Sequence, residues 1–187
     1  MHEVRRALLP RYRRVQAGRH AGFTLFELVI VVCVVSVMAF LLVDRLQVYK
    51  EAAEKASMQQ TAAAIKSALQ LRVAAYMIEG RDKQIETLRL ENPVNWLQDP
   101  PENYVGEYYS DAYARVKPGS WYFDLARREF IYVVNLESKF LPRSDGRKWV
   151  RYRVKIEYDE VQETNAPPRK VLSAVSFVPV ETFTWFQ

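Results

Sequence analysis

Between Phe23 and Glu79 the chain runs for 57 residues without a glycine or a proline, and the first 21 of them, Phe23 to Val43, carry one charge, Glu27. Glycine and proline are the residues that most readily end a helix, so their absence predicts one continuous helix, with Gly80 as its stop signal. An apolar run of about 20 residues is also what a helix needs to cross the hydrocarbon core of a bilayer. Glu27 is out of place in such a run. An acid at the centre of a membrane helix costs about 2.5–3.5 kcal/mol on insertion scales, and such groups usually have a partner and a function.

The charge balance sharpens this reading. Residues 1 to 22 hold Arg5, Arg6, Arg11, Arg13, Arg14 and Arg19 against Glu3 alone, so this short stretch carries the whole net charge of +5. Arginines flanking an apolar helix place that flank on the cytoplasmic side and the other end across the membrane. A secretory signal peptide has a similar start, but its apolar part is usually 7–15 residues and ends in a small-residue cleavage site. Neither feature fits here. Both histidines, His2 and His20, lie in the basic leader, and the single cysteine, Cys33, lies in the apolar run. The remainder therefore holds no disulfide framework and no Cys/His metal set, and no metal or cofactor is expected.

Beyond the apolar run, Asp44, Arg45, Lys50, Glu51, Glu54 and Lys55 mark a polar continuation of the helix, with Glu51 and Lys55 spaced for mutual support across one turn. Met58, Ala62, Ile65, Leu69, Val73 and Tyr76 then recur at helical spacing, which predicts a face packed on a sheet. Residues 80–119 read as a connector punctuated by Asn92-Pro93, Asp99-Pro100-Pro101, Gly106 and Pro118-Gly119, with a short helix near Gln84 to Leu90. Its aromatics, Trp96, Tyr104, Tyr108, Tyr109 and Tyr113, read either as packed with wet polar tips or as an interaction surface. From residue 120 the period becomes that of strands. A hairpin is expected at Trp121 to Leu125 and Phe130 to Asn135, turning at Ala126-Arg127-Arg128. Further strands are expected at Trp149 to Tyr158 and Val171 to Val180, broken by Asn165-Ala166-Pro167-Pro168. The fold class is α+β: a long N-terminal helix, its first half transmembrane, packed on an antiparallel sheet of about four strands.

Gly22-Phe23-Thr24-Leu25-Phe26-Glu27-Leu28, behind a basic leader and ahead of a long apolar helix, closely resembles the class III signal of type IV prepilins and type II secretion pseudopilins. The resemblance implies the type IV pilin fold and a leader, residues 1–22, that a prepilin peptidase removes between Gly22 and Phe23. It implies N-methylation of Phe23, residues 23–43 as the transmembrane and assembly helix, residues 44–79 as its amphipathic continuation and residues 120–187 as the sheet domain. Glycine before the cut suits close approach of an active site to the backbone. In a filament the Glu27 carboxylate would meet the new amine of a neighbour's Phe23, with Thr24 beside them, so that two charges costly in a dry environment are satisfied together. The partners implied are the peptidase, other pilin or pseudopilin subunits, the inner-membrane assembly platform and membrane lipid. The location implied is the bacterial inner membrane, with a periplasmic C-terminal domain, and then a pilus or pseudopilus.

Asp44 stands where many major pilins have proline, a disulfide-closed C-terminal loop is impossible, and Ser144-Asp145-Gly146 is too little for a calcium loop. These departures imply a minor pilin that helps assembly, and the aromatic end is loosely similar to minor pilins of the mannose-sensitive haemagglutinin type. A minor secretion pseudopilin is the nearest alternative. Arg143, Arg147, Lys148, Arg151, Arg153 and Lys155 could line a basic stripe for DNA, as in uptake pili. The solvated face of an amphipathic strand explains the same residues, and Glu157, Asp159 and Glu160 dilute them. Without histidine or cysteine after Cys33 the usual nucleophile and base pairs cannot be assembled, so no enzyme is expected.

Overall fold

The computed structural model describes residues 22–109, 111–142, 145–162 and 168–186; the leader through residue 21, Arg143, Ser144 and Asn165-Ala166-Pro167 lie outside the described residues. One α-helix, α1, spans Leu25–Ile78, 54 residues. Two compact units share it, the first ending at Val43 and the second beginning at Asp44.

In the first unit the helix is long and apolar enough to cross a membrane, and none of its most apolar window is buried by the rest of the chain. Residues 22–43 are exposed throughout. The Ser36 hydroxyl in the middle of this stretch donates to the Val32 carbonyl at 2.7 Å, so the helix satisfies it internally.

In the second unit α1 ends where the sequence placed the stop. Gly80 takes a positive φ of 66°. Its N–H donates to the Met77 carbonyl at 3.2 Å while the Arg81 N–H reaches back to Tyr76 at 2.8 Å. This left-handed cap absorbs two carbonyls the helix leaves unpaired, and a side chain at 80 would be strained there. The predicted short helix follows as a 3-10 helix, Asp82–Arg89.

The strands are β1 Tyr104–Tyr108, β2 Trp121–Asp124, β3 Glu129–Val133, β4 Phe140–Leu141, β5 Trp149–Val161, β6 Arg169–Pro179 and β7 Thr184–Trp185. They form a five-stranded sheet ordered β1-β2-β3-β5-β6 and a separate two-stranded sheet of β4 and β7. The hairpin and both long strands lie where the alternating pattern put them. The expectation of an antiparallel sheet of about four strands is corrected on two counts. The main sheet has five strands, and it is mixed, because β1 runs parallel to β2. Parallel neighbours need a connection of roughly a dozen residues, and the chain between Tyr108 and Trp121 supplies it, with Ala112 and Val116 packed on the back of the sheet. β1 escaped the sequence reading because Gly106, at φ 111°, breaks its alternation, and the register shifts between Tyr104 and Glu107.

The predicted helix stripe is the core. Met58, Ile65, Leu69 and Tyr76 are buried against Trp121, Phe123, Phe130, Tyr132, Val150, Tyr152 and Phe177, with Ala62 and Val73 packed alongside. Leu69 is completely buried. Leu69→Ala is expected to lower unfolding stability by about 2–5 kcal/mol, the range for emptying a packed leucine site, read by urea denaturation. A second cluster lies on the other face, where Ala112 and Val116 of the crossing segment cover Tyr122, Ile131 and Val133, with Tyr108, Tyr113 and Trp149 packed on them. The connector aromatics thus divide. Trp96 donates its indole N–H to Glu91 at 2.8 Å, Tyr104 accepts from Asn92 at 2.8 Å, and Tyr113 accepts from the Lys148 N–H at 3.1 Å, all partly buried. Tyr109 alone of the five stands 82 % exposed.

The main sheet ends on β1 and β6. Besides the irregular β1, β6 shifts register opposite Glu157/Tyr158, opens with Arg169 and Lys170, and closes on Pro179.

Candidate assembly site at the head of the helix

Gly22, Phe23, Thr24 and Glu27 lie in succession where α1 begins. Thr24 caps the helix: its hydroxyl accepts the Glu27 N–H at 3.2 Å, and its carbonyl accepts the Leu28 N–H at 3.1 Å. Thr24 and Glu27 thereby occupy the first and last places of an S/T-x-x-E capping pattern, legible in the sequence as a helix start. An acid in the first turn also lies favourably on the positive end of the helix dipole. Glu27 therefore has a local reason to be near the start, separate from any partner.

Gly22 has no such local reason. Its φ lies outside the left-handed region, and a Cβ built on it meets nothing within 4 Å. Nothing the described chain does to itself requires glycine at this place, so the requirement is to be sought in what approaches it. Phe23, Leu25 and Phe26 are each more than 70 % exposed. A helix head with three bare aromatic or aliphatic side chains and one carboxylate presents an apolar surface that none of the other described residues covers.

Comparison with family models, with curated proteins and with solved structures returns no match for this chain. The site is accordingly read from its own geometry.

The basic stripe is locally compensated. Arg147 pairs with Asp111, Lys148 with Glu137, and Lys155 with Glu157. Arg151 lies 3.3 Å from Glu129 and 2.6 Å from Glu181. Arg147 and Arg151 also lie over the Trp149 ring, 4.7 and 5.2 Å from its centre. Burial disfavours the charged form of Asp111, but the Arg147 hydrogen bond and the Tyr113 N–H outweigh it and hold its pKa low. Glu129 goes the other way: burial pushes its carboxyl up despite the guanidinium beside it. A stripe in which Arg147, Lys148, Arg151 and Lys155 are each matched by neighbouring acids presents a reduced net field to a polyanion.

A polar cluster at the start of the second unit was not foreseen. Glu51, read from sequence as a partner for Lys55 across one helical turn, is 1 % exposed. Its carboxylate accepts the Trp185 indole N–H at 3.0 Å, the Lys139 N–H at 2.7 Å and the Ser138 hydroxyl. Lys55 instead donates to the Trp185 carbonyl at 2.5 Å and lies 5.6 Å from the Phe186 ring centre. One turn from Glu51, Glu54 accepts the Asn135 N–H at 2.7 Å, the Leu136 N–H at 2.8 Å and the Tyr132 hydroxyl at 3.0 Å. Two helix carboxylates thus collect three backbone N–H groups from the loop between β3 and β4. The spacing of Glu51 and Lys55 could not reveal this, because their partners lie 87 to 134 residues away along the chain.

Proposed function

We propose that this chain is a minor pilin-like structural subunit of a type IV pilus-type filament, which a prepilin peptidase processes and which helps the filament assemble. The observation that carries the reading is the head of α1: a glycine on which no described residue places a structural demand, a capped helix start, and an acid on an apolar surface that none of the described residues covers. Cleavage after Gly22 gives Phe23 a positive amine. That amine and Glu27 are four residues apart at the head of an apolar helix. Between neighbouring subunits, each carboxylate can neutralise the next amine, and the apolar residues of 23–43 cover one another as they leave the lipid. Cleavage also removes the leader with its whole excess charge, leaving a subunit close to neutral. The α+β unit from Asp44 is then the periplasmic part, and its role is structural rather than catalytic.

Co-expression with a prepilin peptidase, followed by mass analysis of the N-terminus, tests this reading. The expected product lacks residues 1–22 and carries a methylated Phe23. An intact leader, or a cut elsewhere, overturns it.

A further inference from the structure

We propose that the Glu51 and Glu54 cluster is an acid-sensitive latch: protonation of Glu51 releases β7 and the loop 135–139 from α1 while the five-stranded sheet stays folded. The topology allows it. β4 and β7 pair only with each other, through Phe140 with Trp185 and Leu141 with Thr184, and share no ladder with the main sheet. The small sheet meets the helix through the bonds to Glu51 and Glu54, the Lys55 bond to the Trp185 carbonyl, and the burial of Phe140 and Trp185 in the same core cluster as Met58.

The charged and titratable groups around the latch come from four elements. Lys139, the Ser138 hydroxyl and Glu137, itself paired with Lys148, come from the loop. Trp185 comes from β7, the Tyr132 hydroxyl comes from β3 through Glu54, and Glu54 and Lys55 lie on α1 itself. No guanidinium or ammonium pairs directly with Glu51 among the described ion pairs, so hydrogen bonds satisfy its charge. A protonated carboxyl is a weaker acceptor, and with the proton on Oε2 the Ser138 hydroxyl must turn from donor to acceptor, so the three-donor arrangement that holds the loop and Trp185 is weakened.

The direction in pH follows. Burial alone would raise the Glu51 pKa, but the bonds from Ser138, Lys139 and Trp185 outweigh it and hold it below the ordinary 4.5. A carboxyl with a lowered folded-state pKa stabilises fully above its unfolded value and loses that contribution as pH falls through the folded one. The latch is closed at neutral pH and opens in acid. Glu129 in the main sheet is shifted the opposite way, so its protonation does not loosen that sheet. Asp111 shares the lowered direction but sits on the back-face cover, away from the latch, and is followed separately through Tyr113.

Hydrogen exchange by NMR on the full chain in detergent, between about pH 7 and about pH 3.5, reads the latch at the Trp185 indole and at the amides of Asn135, Leu136 and Lys139. Their protection, corrected for intrinsic exchange, is expected to fall several-fold in acid while the amides of Phe130, Ile131 and Tyr152 keep theirs, the signature of a local opening. Loss of both sets in one step, or retention of both, overturns the proposal. Glu51→Gln keeps the size but cannot ionise, and its latch amides are expected to be poorly protected at neutral pH with no step in acid. A step like that of the unsubstituted chain would remove Glu51 from the mechanism. None of this depends on the filament reading.

Discussion

Glu27→Gln is expected to leave cleavage after Gly22 intact and to cut entry of the subunit into filaments by about a hundredfold or more. Removing one member of a dry ion pair costs about 3–5 kcal/mol, because the other charge is left uncompensated. The structure offers a competing role for the same carboxylate. Thr24 already caps the helix with the Glu27 N–H at 3.2 Å, and an acid in the first turn is typically worth only about 0.3–1 kcal/mol through the helix dipole. If that were the whole of its role, the loss would be less than about tenfold. The ratio of subunit in sheared filaments to subunit in membranes, by quantitative immunoblot, separates the two. Normal incorporation of Glu27→Gln would count against the pairing.

Trp121→Ala is expected to be the most damaging substitution in the second unit. Trp121 is completely buried. Its ring stacks on Phe130 at 4.5 Å between centres and meets Tyr132 at 4.9 Å and Tyr152 at 6.0 Å. It is therefore the point where β2, β3 and β5 are held together beneath α1. Truncating such a residue typically costs about 3–5 kcal/mol, a large share of the 5–15 kcal/mol that holds a typical domain together. The expected result is a midpoint of urea unfolding shifted well toward native conditions, followed by circular dichroism. Tyr109→Ala, by contrast, alters a ring 82 % exposed and is expected to change stability by no more than about 0.5 kcal/mol. A mild effect at Trp121 would mean that the neighbouring rings close the gap.

The helix and the long strands were legible because local chemistry decides them. The stretch from Phe23 to Glu79 has no helix breaker, Gly80 supplies the left-handed cap, and the stripe from Met58 to Tyr76 has one periodicity and one use. The strand at Trp149 likewise alternates cleanly, with Val150, Tyr152 and Ile156 buried. What was not legible depends on distant parts of the chain. The sequence can present Glu51 as a polar residue, but only the arrival of the loop 135–139 and Trp185 makes it a buried acceptor. The parallel pairing of β1 depends on where the crossing segment lies, which no short window of residues states. At the head of the helix the reverse holds. Gly22, Phe23 and Glu27 stand out in the sequence, and the structure adds the Thr24 cap and the lack of any internal need for Gly22.

Both borders of the main sheet carry interruptions: Gly106 and a register shift in β1, and in β6 a register shift, two cations and Pro179. Open borders are templates on which further strands can add, and proteins blunt them with such kinks, charges and prolines. For a filament subunit as proposed above, this would be protection against fusing sheet to sheet. Growth by uncontrolled strand addition is discouraged, which leaves the bare helix as the part of the chain free to be sociable.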